Sequence, residues 1–101
     1  MPIKKLASGD NLELLLSGRV DGPAAHELEV EILAAIRAGT KNIYVNLAEA
    51  DFLCSAGIRV LLQYHRQLKQ AGKTLRAVHP SPNVRAALDM TGLPGLVEAE
   101  G

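Results

Sequence analysis

Tryptophan is absent, and phenylalanine and tyrosine together supply only 3% of the 101 residues, so any core must be aliphatic. The same shortage argues against a binder of single-stranded nucleic acid, which stacks bases on aromatic side chains. Charge of one sign is also missing. Eleven Lys and Arg balance 11 Asp and Glu, whereas a protein that lives on phosphates carries a basic excess. No direct nucleic-acid partner is expected. Charged residues interrupt every apolar run well before the ~20 residues a membrane span needs. The start, Met1-Pro2-Ile3-Lys4-Lys5, lacks the apolar stretch and small-residue cleavage site of a signal peptide. The one cysteine, Cys54, cannot close an internal disulfide, which suits a reducing cytoplasm. These exclusions point to a cytoplasmic protein of one domain, residues 1–101, a length sufficient to bury an aliphatic core without metal or disulfide.

The charge that is present is unevenly spread. Residues 1–50 hold 5 basic and 7 acidic side chains, residues 51–101 hold 6 and 4, so the halves carry −2 and +2. The contrast lies mostly between Glu27, Glu29 and Glu31 on one expected helix and Arg59, Arg66, Lys69 and Lys73 on another. Solvated helix faces explain it; so does a polarised partner surface.

Periodicity orders the elements. Ile3–Leu6 and Asn11–Ser17 read as strands joined by the turn Ala7-Ser8-Gly9-Asp10. Gly18 to Pro23 reads as a loop into a helix on which Ala25, Leu28, Ile32, Ala35 and Ile36 recur at helical spacing, with Gly39 as the stop. Asn42–Leu47 reads as a buried central strand and Ala48–Leu53 as a loop. A second helix from Ser55 or Ala56 carries Ile58, Leu61, Leu62, His65 and Leu68 along one face and ends at Ala71-Gly72. Thr74–Val78 is a further strand. Pro80-Ser81-Pro82 opens a helix through Val84, Ala87 and Leu88 that closes near Gly92 and Pro94, and Leu96-Val97 forms a short turn or strand. Strands separated by helices imply parallel crossovers, hence an α/β fold with a mixed β-sheet covered by α-helices.

In such folds function gathers beyond the carboxyl ends of the strands, where loops meet helix N-termini. Asp51-Phe52-Leu53-Cys54-Ser55-Ala56-Gly57-Ile58-Arg59 lies at such a place, and unpaired amides at a helix start favour an anion. Ser55 has two readings: a helix cap, or a hydroxyl that accepts a phosphate and with it about −1.5 to −2 charges. Cys54 is either a half-buried small residue or a thiolate activated by the helix end. With Arg59 it forms C-x4-R, one residue short of the C-x5-R phosphate loop of cysteine phosphatases. His26, His65 and His79 lack the close spacing of a zinc site, so no metal or cofactor is expected. Ser55 with His65 or His79 could be imagined as nucleophile and base, yet G-x-S-x-G is absent, as are the usual nucleotide loops. No catalytic residue is assigned.

The run Asn46-Leu47, then Asp51 through Leu62, resembles the signature of the STAS domains, the family of bacterial anti-sigma factor antagonists. Gly18-Arg19-Val20-Asp21 resembles the family's G-x-[LIV]-D turn, and Ala71-Gly72-Lys73 its helix end. Pro80-Ser81-Pro82-Asn83-Val84-Arg85 and Leu88-Asp89-Met90-Thr91-Gly92-Leu93 resemble its closing motifs. The resemblance covers roughly residues 10–97.

It implies a STAS-like fold and a switch rather than an enzyme. In the antagonist branch the serine matching Ser55 is phosphorylated by a serine kinase that is also an anti-sigma factor. A PP2C-type phosphatase restores it, and the unphosphorylated domain binds the kinase and frees the sigma factor. Partner contacts are then expected at Asp21, Cys54, Ala56, Gly57, Arg59 and Gln63, on a monomer or weak dimer. Many members carry Asp where this chain has Cys54, and Ala56 replaces a second Ser or Thr. STAS domains also serve as accessory subunits of lipid-transporting ABC complexes, in which Ser55 would be structural only.

Overall fold

The computed structural model describes residues 3–92 and 95–97. Its elements run β1 (Lys4–Ser8), β2 (Asn11–Val20), α1 (Gly22–Arg37), β3 (Asn42–Leu53), α2 (Ser55–Gln70), β4 (Thr74–Val78) and α3 (Pro82–Asp89). The four strands form one sheet in the order β1-β2-β3-β4. β1 pairs antiparallel with β2, and β2–β3 and β3–β4 are parallel, because a tight turn joins the first pair and a helix joins each of the others. The α/β class with a mixed sheet is as expected.

Alternation along the strands sends one set of side chains to the core. Leu12, Leu14 and Leu16 of β2, Ile43, Val45 and Leu47 of β3, and Leu75 and Ala77 of β4 are all buried. They meet Leu28 and Ile32 of α1 and Leu61 and Leu68 of α2 in a single aliphatic cluster. A buried leucine or isoleucine contributes about 1.5–3 kcal/mol, so this cluster, not the sparse aromatics, holds the sheet to the helices. The opposite sheet face carries polar pairs: Asn42 donates to Asn11 at 2.8 Å, and Asn46 to Glu13 at 3.1 Å.

The largest departure from expectation lies at the strand ends. Gly18–Val20 and Ala48–Leu53 are strand, not loop. Asn11 faces Asn42 but Val20 faces Leu53, so β3 uses two more residues than β2 over the same run, at two register shifts. Each bulge adds a residue that the partner strand does not match. Burial in β3 therefore changes from every second residue, at Ile43, Val45 and Leu47, to every third, at Ala50 and Leu53. The period-2 signal that marks a strand is lost there, although the pairing is not. The bulges keep Leu53 pointing inward and leave Phe52 at the surface.

The helix ends follow local chemistry. α2 closes on Gly72, whose positive φ of 74° suits glycine, while the Lys73 amide donates to the Leu68 carbonyl at 2.8 Å. α3 starts at Pro82 and ends at Asp89, before the expected stop at Gly92, while Pro94 lies outside the described residues. The Ser81 hydroxyl donates to the Ala50 carbonyl, which ties the start of α3 to β3. Val97 forms one parallel bridge with Ala77, and the Ala77 amide donates to Leu96 at 2.8 Å, extending the sheet briefly beyond β4.

Candidate functional site

The carboxyl ends of β2 and β3 lie side by side and each runs straight into a helix. After β2 comes Asp21, whose Oδ1 accepts from the Ala24 amide at 3.1 Å and caps α1. After β3 comes Cys54, whose amide donates to the Val20 carbonyl at 2.9 Å and whose own carbonyl accepts from Ile58 at 3.0 Å. The two helix starts are thus joined by one backbone bond, which brings Asp21 beside the start of α2.

Cys54, not Ser55, occupies the cap position of α2, with extended backbone (φ −76°, ψ 168°) and no side-chain cap bond. The reading of Ser55 as a cap is therefore corrected by one residue. Ser55 is the first residue inside the helix and is exposed; Cys54 is half-buried. The amides of Ser55, Ala56 and Gly57 precede the first intrahelical bond, and the Cys54 side chain does not cap them. A helix start in this state presents donors and the positive end of the helix dipole to whatever sits on the Ser55 oxygen.

Gly57 sets how closely that start approaches the sheet. It is buried, and a Cβ placed on it would lie 2.6 Å from Leu53 Cδ1 and 3.4 Å from Val20 Cγ1. Both contacts belong to the last inward-pointing residues of β3 and β2. A glycine here lets α2 seat against the strand ends, which fixes the position of Ser55 two residues earlier.

Beside this point α1 and α2 border a groove of about 330 Å³. Ala56, Arg59, Val60 and Gln63 of α2 line one side, and Gly22, Ala25, His26 and Glu29 of α1 line the other. Three of the expected partner residues, Ala56, Arg59 and Gln63, are thus on one wall, while Gly57 is buried beneath the helix start and Asp21 caps the neighbouring helix. The α1 wall was not foreseen; its residues are distant in sequence and only helix packing brings them here. Below the groove the Tyr64 hydroxyl donates to Glu29 Oε2 at 2.7 Å. Burial, that hydrogen bond and the Glu29 charge push the Tyr64 hydroxyl up from 10.0 to about 12.

A second unforeseen pair borders the site. Arg19 Cζ stands 4.2 Å above the centre of the Phe52 ring, a cation–π contact, and Phe52 is 39% exposed. The signal was in the sequence, since this is the single phenylalanine of the chain, but its outward orientation depends on the β3 bulges.

The catalytic alternatives find no support in this geometry. His65 lies ten residues along α2 from Ser55, about 15 Å at 1.5 Å per residue. It is buried, with Nδ1 2.6 Å from the Leu75 carbonyl oxygen. His79, at the end of β4, lines the polar sheet face with Tyr44 and Glu13. Among the described residues no group of three His, Cys, Asp or Glu side chains could hold a metal ion, and no helix is long and apolar enough to cross a membrane.

Comparison with known proteins agrees with this architecture. The family model described as Mlab, STAS domain, matches residues 4–98. BtrV of Bordetella bronchiseptica, a candidate anti-sigma factor antagonist, is 32% identical over 77 residues, which is 76% of this chain and 66% of that one. An anti-sigma F factor antagonist of Lysinibacillus sphaericus is 30% identical over 94% of this chain and 83% of its own length. The unphosphorylated form of the anti-sigma factor antagonist SpoIIAA superposes with a TM-score of 0.85, at 22% identity, over 99% of this chain and 89% of that one. Its phosphorylated form gives 0.79.

Proposed function

We propose that this chain, which belongs to the STAS domain family and to its anti-sigma factor antagonists, is a partner-switching regulator controlled by reversible phosphorylation of Ser55. The family is one of non-enzymatic regulatory proteins. On this reading the unphosphorylated chain binds an anti-sigma factor that is also a serine kinase, through the start of α2 and the α1–α2 groove. The kinase phosphorylates Ser55, and a PP2C-type phosphatase reverses the modification. The chain acts in the cytoplasm, as a monomer or weak dimer.

The observation that carries the proposal is the state of Ser55. It is exposed, it opens α2, and the cap position before it is held by Cys54 rather than by its own side chain. It is also the only hydroxyl in its turn, with Cys54 before it and Ala56 and Gly57 after it. A neutral hydroxyl there packs into a partner at small desolvation cost. A phosphate of about −1.5 to −2 charges is held instead by the free amides of the same helix start and must be stripped of water to enter an interface. Phosphorylation therefore favours the free chain.

A second reading is favoured by one observation. Cys54 caps α2 without a side-chain bond, where the resemblance implies a carboxylate in many antagonists. Its loss weakens the case for kinase recognition, and the alternative is an accessory subunit of a lipid-transport complex with Ser55 structural only. Purified chain incubated with ATP and its cognate serine kinase separates the two. One phosphoryl group mapped to Ser55 and absent from Ser55→Ala supports the switch; no modification by a kinase that binds the chain supports the accessory subunit.

A further inference from the structure

The basic half of the chain converges at the other end of α2 from Ser55. There His65, Lys69, Lys73, Thr74, Arg76 and Gly95 line a notch of about 110 Å³ beside the start of β4. Pockets for drug-sized ligands begin at roughly 300 Å³, so the notch suits a small ion or one end group of a larger molecule. Among the described residues, three of its side chains are cationic and none is acidic. None of the three cations belongs to an ion pair among the described residues. Lys69 has an ordinary reason for its position, because a cation in the last turn offsets the negative end of the helix dipole. Lys73 and Arg76 lie beyond the helix and have no such reason.

His65 supplies the second observation. It is only 6% exposed, the one buried polar residue among those described. The Leu75 carbonyl oxygen, 2.6 Å from Nδ1, can only accept, so Nδ1 carries the hydrogen of that bond. Nε2 is then the nitrogen left for the notch, and Gly95 stands on that side, where a Cβ would come within 4.0 Å of it. In the neutral ring Nε2 presents a lone pair; in the protonated ring it presents an N–H donor among the cations. Among the described residues, the charged groups that share the notch with the ring are Lys69 on its own helix, Lys73 from the turn and Arg76 from β4, and residues 95–97 bring none.

We infer that this notch binds a phosphate-class oxyanion, and that the anion and a proton on His65 Nε2 are taken up together. By linkage each strengthens the other. The inference is independent of the state of Ser55.

Sulfate is the probe for the pH series, because it keeps its charge where phosphate titrates. The full chain is titrated with sulfate at constant ionic strength and followed by nuclear magnetic resonance. The expected result is saturable shifts confined to His65, Lys69, residues 73–76 and Gly95, with sulfate bound more tightly as the pH is lowered. Lys73→Ala and Arg76→Ala are surface changes that leave the circular dichroism unchanged, and each lowers sulfate affinity about threefold or more. Inorganic phosphate and glycerol phosphate at one pH then identify the source: equal affinity assigns the free ion, and tighter monoester binding assigns the end group. Unsaturable shifts spread over all surface lysines, affinities unchanged in both variants, or affinity independent of pH would overturn the inference.

Discussion

Replacing Gly57 with alanine tests whether close approach at the start of α2 is what positions Ser55. In an open helix the change is favourable, since alanine is better than glycine by about 1 kcal/mol. Here the added Cβ would stand 2.6 Å from Leu53 Cδ1 and 3.4 Å from Val20 Cγ1. Carbon atoms pack best at about 3.5–4.0 Å, so Leu53 must retreat by roughly 1 Å. Its Cδ1 is a terminal methyl, but Leu53 is only 5% exposed and Val20 is fully buried, so there is no open space to rotate into. Overpacking of this kind costs about 1–3 kcal/mol, which outweighs or cancels the helix gain and leaves a net loss of about 0–2 kcal/mol. Gly22→Ala is the internal control: it also lies in a first helical turn, but its Cβ meets nothing within 4 Å. Thermal melts of both variants provide the comparison, at about 4–8 °C per kcal/mol for a domain of this size. Gly57→Ala should melt at least about 4 °C below Gly22→Ala. Equal or higher melting for Gly57→Ala would refute the close-approach argument.

Three further outcomes follow from the same geometry. Asp21→Ala removes the bond to the Ala24 amide and should cost about 1 kcal/mol by thermal or urea unfolding, whereas Asp21→Asn retains a cap of similar strength; equal losses in both variants would contradict the capping role. The cap of α2 is Cys54 and Ser55 is exposed, so the stability of Ser55→Ala should stay within about 0.5 kcal/mol of the parent, and a larger loss would return Ser55 to a structural role. Tyr64, pushed up to about 12 chiefly by burial and then by Glu29, is favoured as the neutral phenol in the folded state. Its contribution to stability is therefore full below about pH 10 and lost as pH rises toward about 12. In a Tyr44→Phe background, tyrosinate absorbance should appear near pH 12, and lower but still above 10 after Glu29→Gln, because burial remains. Ionisation near 10 before that change would contradict the account.

What the sequence disclosed depended on whether the deciding contact was local. Helix α1 was legible because Ala25, Leu28, Ile32 and Ala35 repeat at helical spacing and Gly39 ends the run. The core of β2 was legible from the partial alternation of its leucines, and that of β3 from the β-prone run Asn42–Leu47. The ends of those strands were not. Two bulges in β3 change its burial period from two to three, and Ala48, Glu49 and Asp51 carry little intrinsic strand preference. Ser55 was assigned to the right turn, but the cap fell on Cys54, because a cap is defined by backbone bonds to Val20 and Ile58 that residue type does not reveal. The α1 wall of the groove, the Glu29–Tyr64 bond and the Arg19–Phe52 contact each join residues more than 25 apart in the chain. Only packing of α1 on α2, or register between β2 and β3, brings them together.

The central claim is that one phosphate on Ser55 decides whether the partner binds. Calorimetric titration of the cognate serine-kinase anti-sigma factor with the chain, once unmodified and once phosphorylated on Ser55, measures it directly. Desolvating an ionic group such as a phosphate at an interface costs several kcal/mol, and each 1.4 kcal/mol is about tenfold in affinity. The account predicts binding at least about 100-fold weaker for the phosphorylated chain, with Ser55→Ala binding like the unmodified one. Equal affinity for the two forms would contradict it.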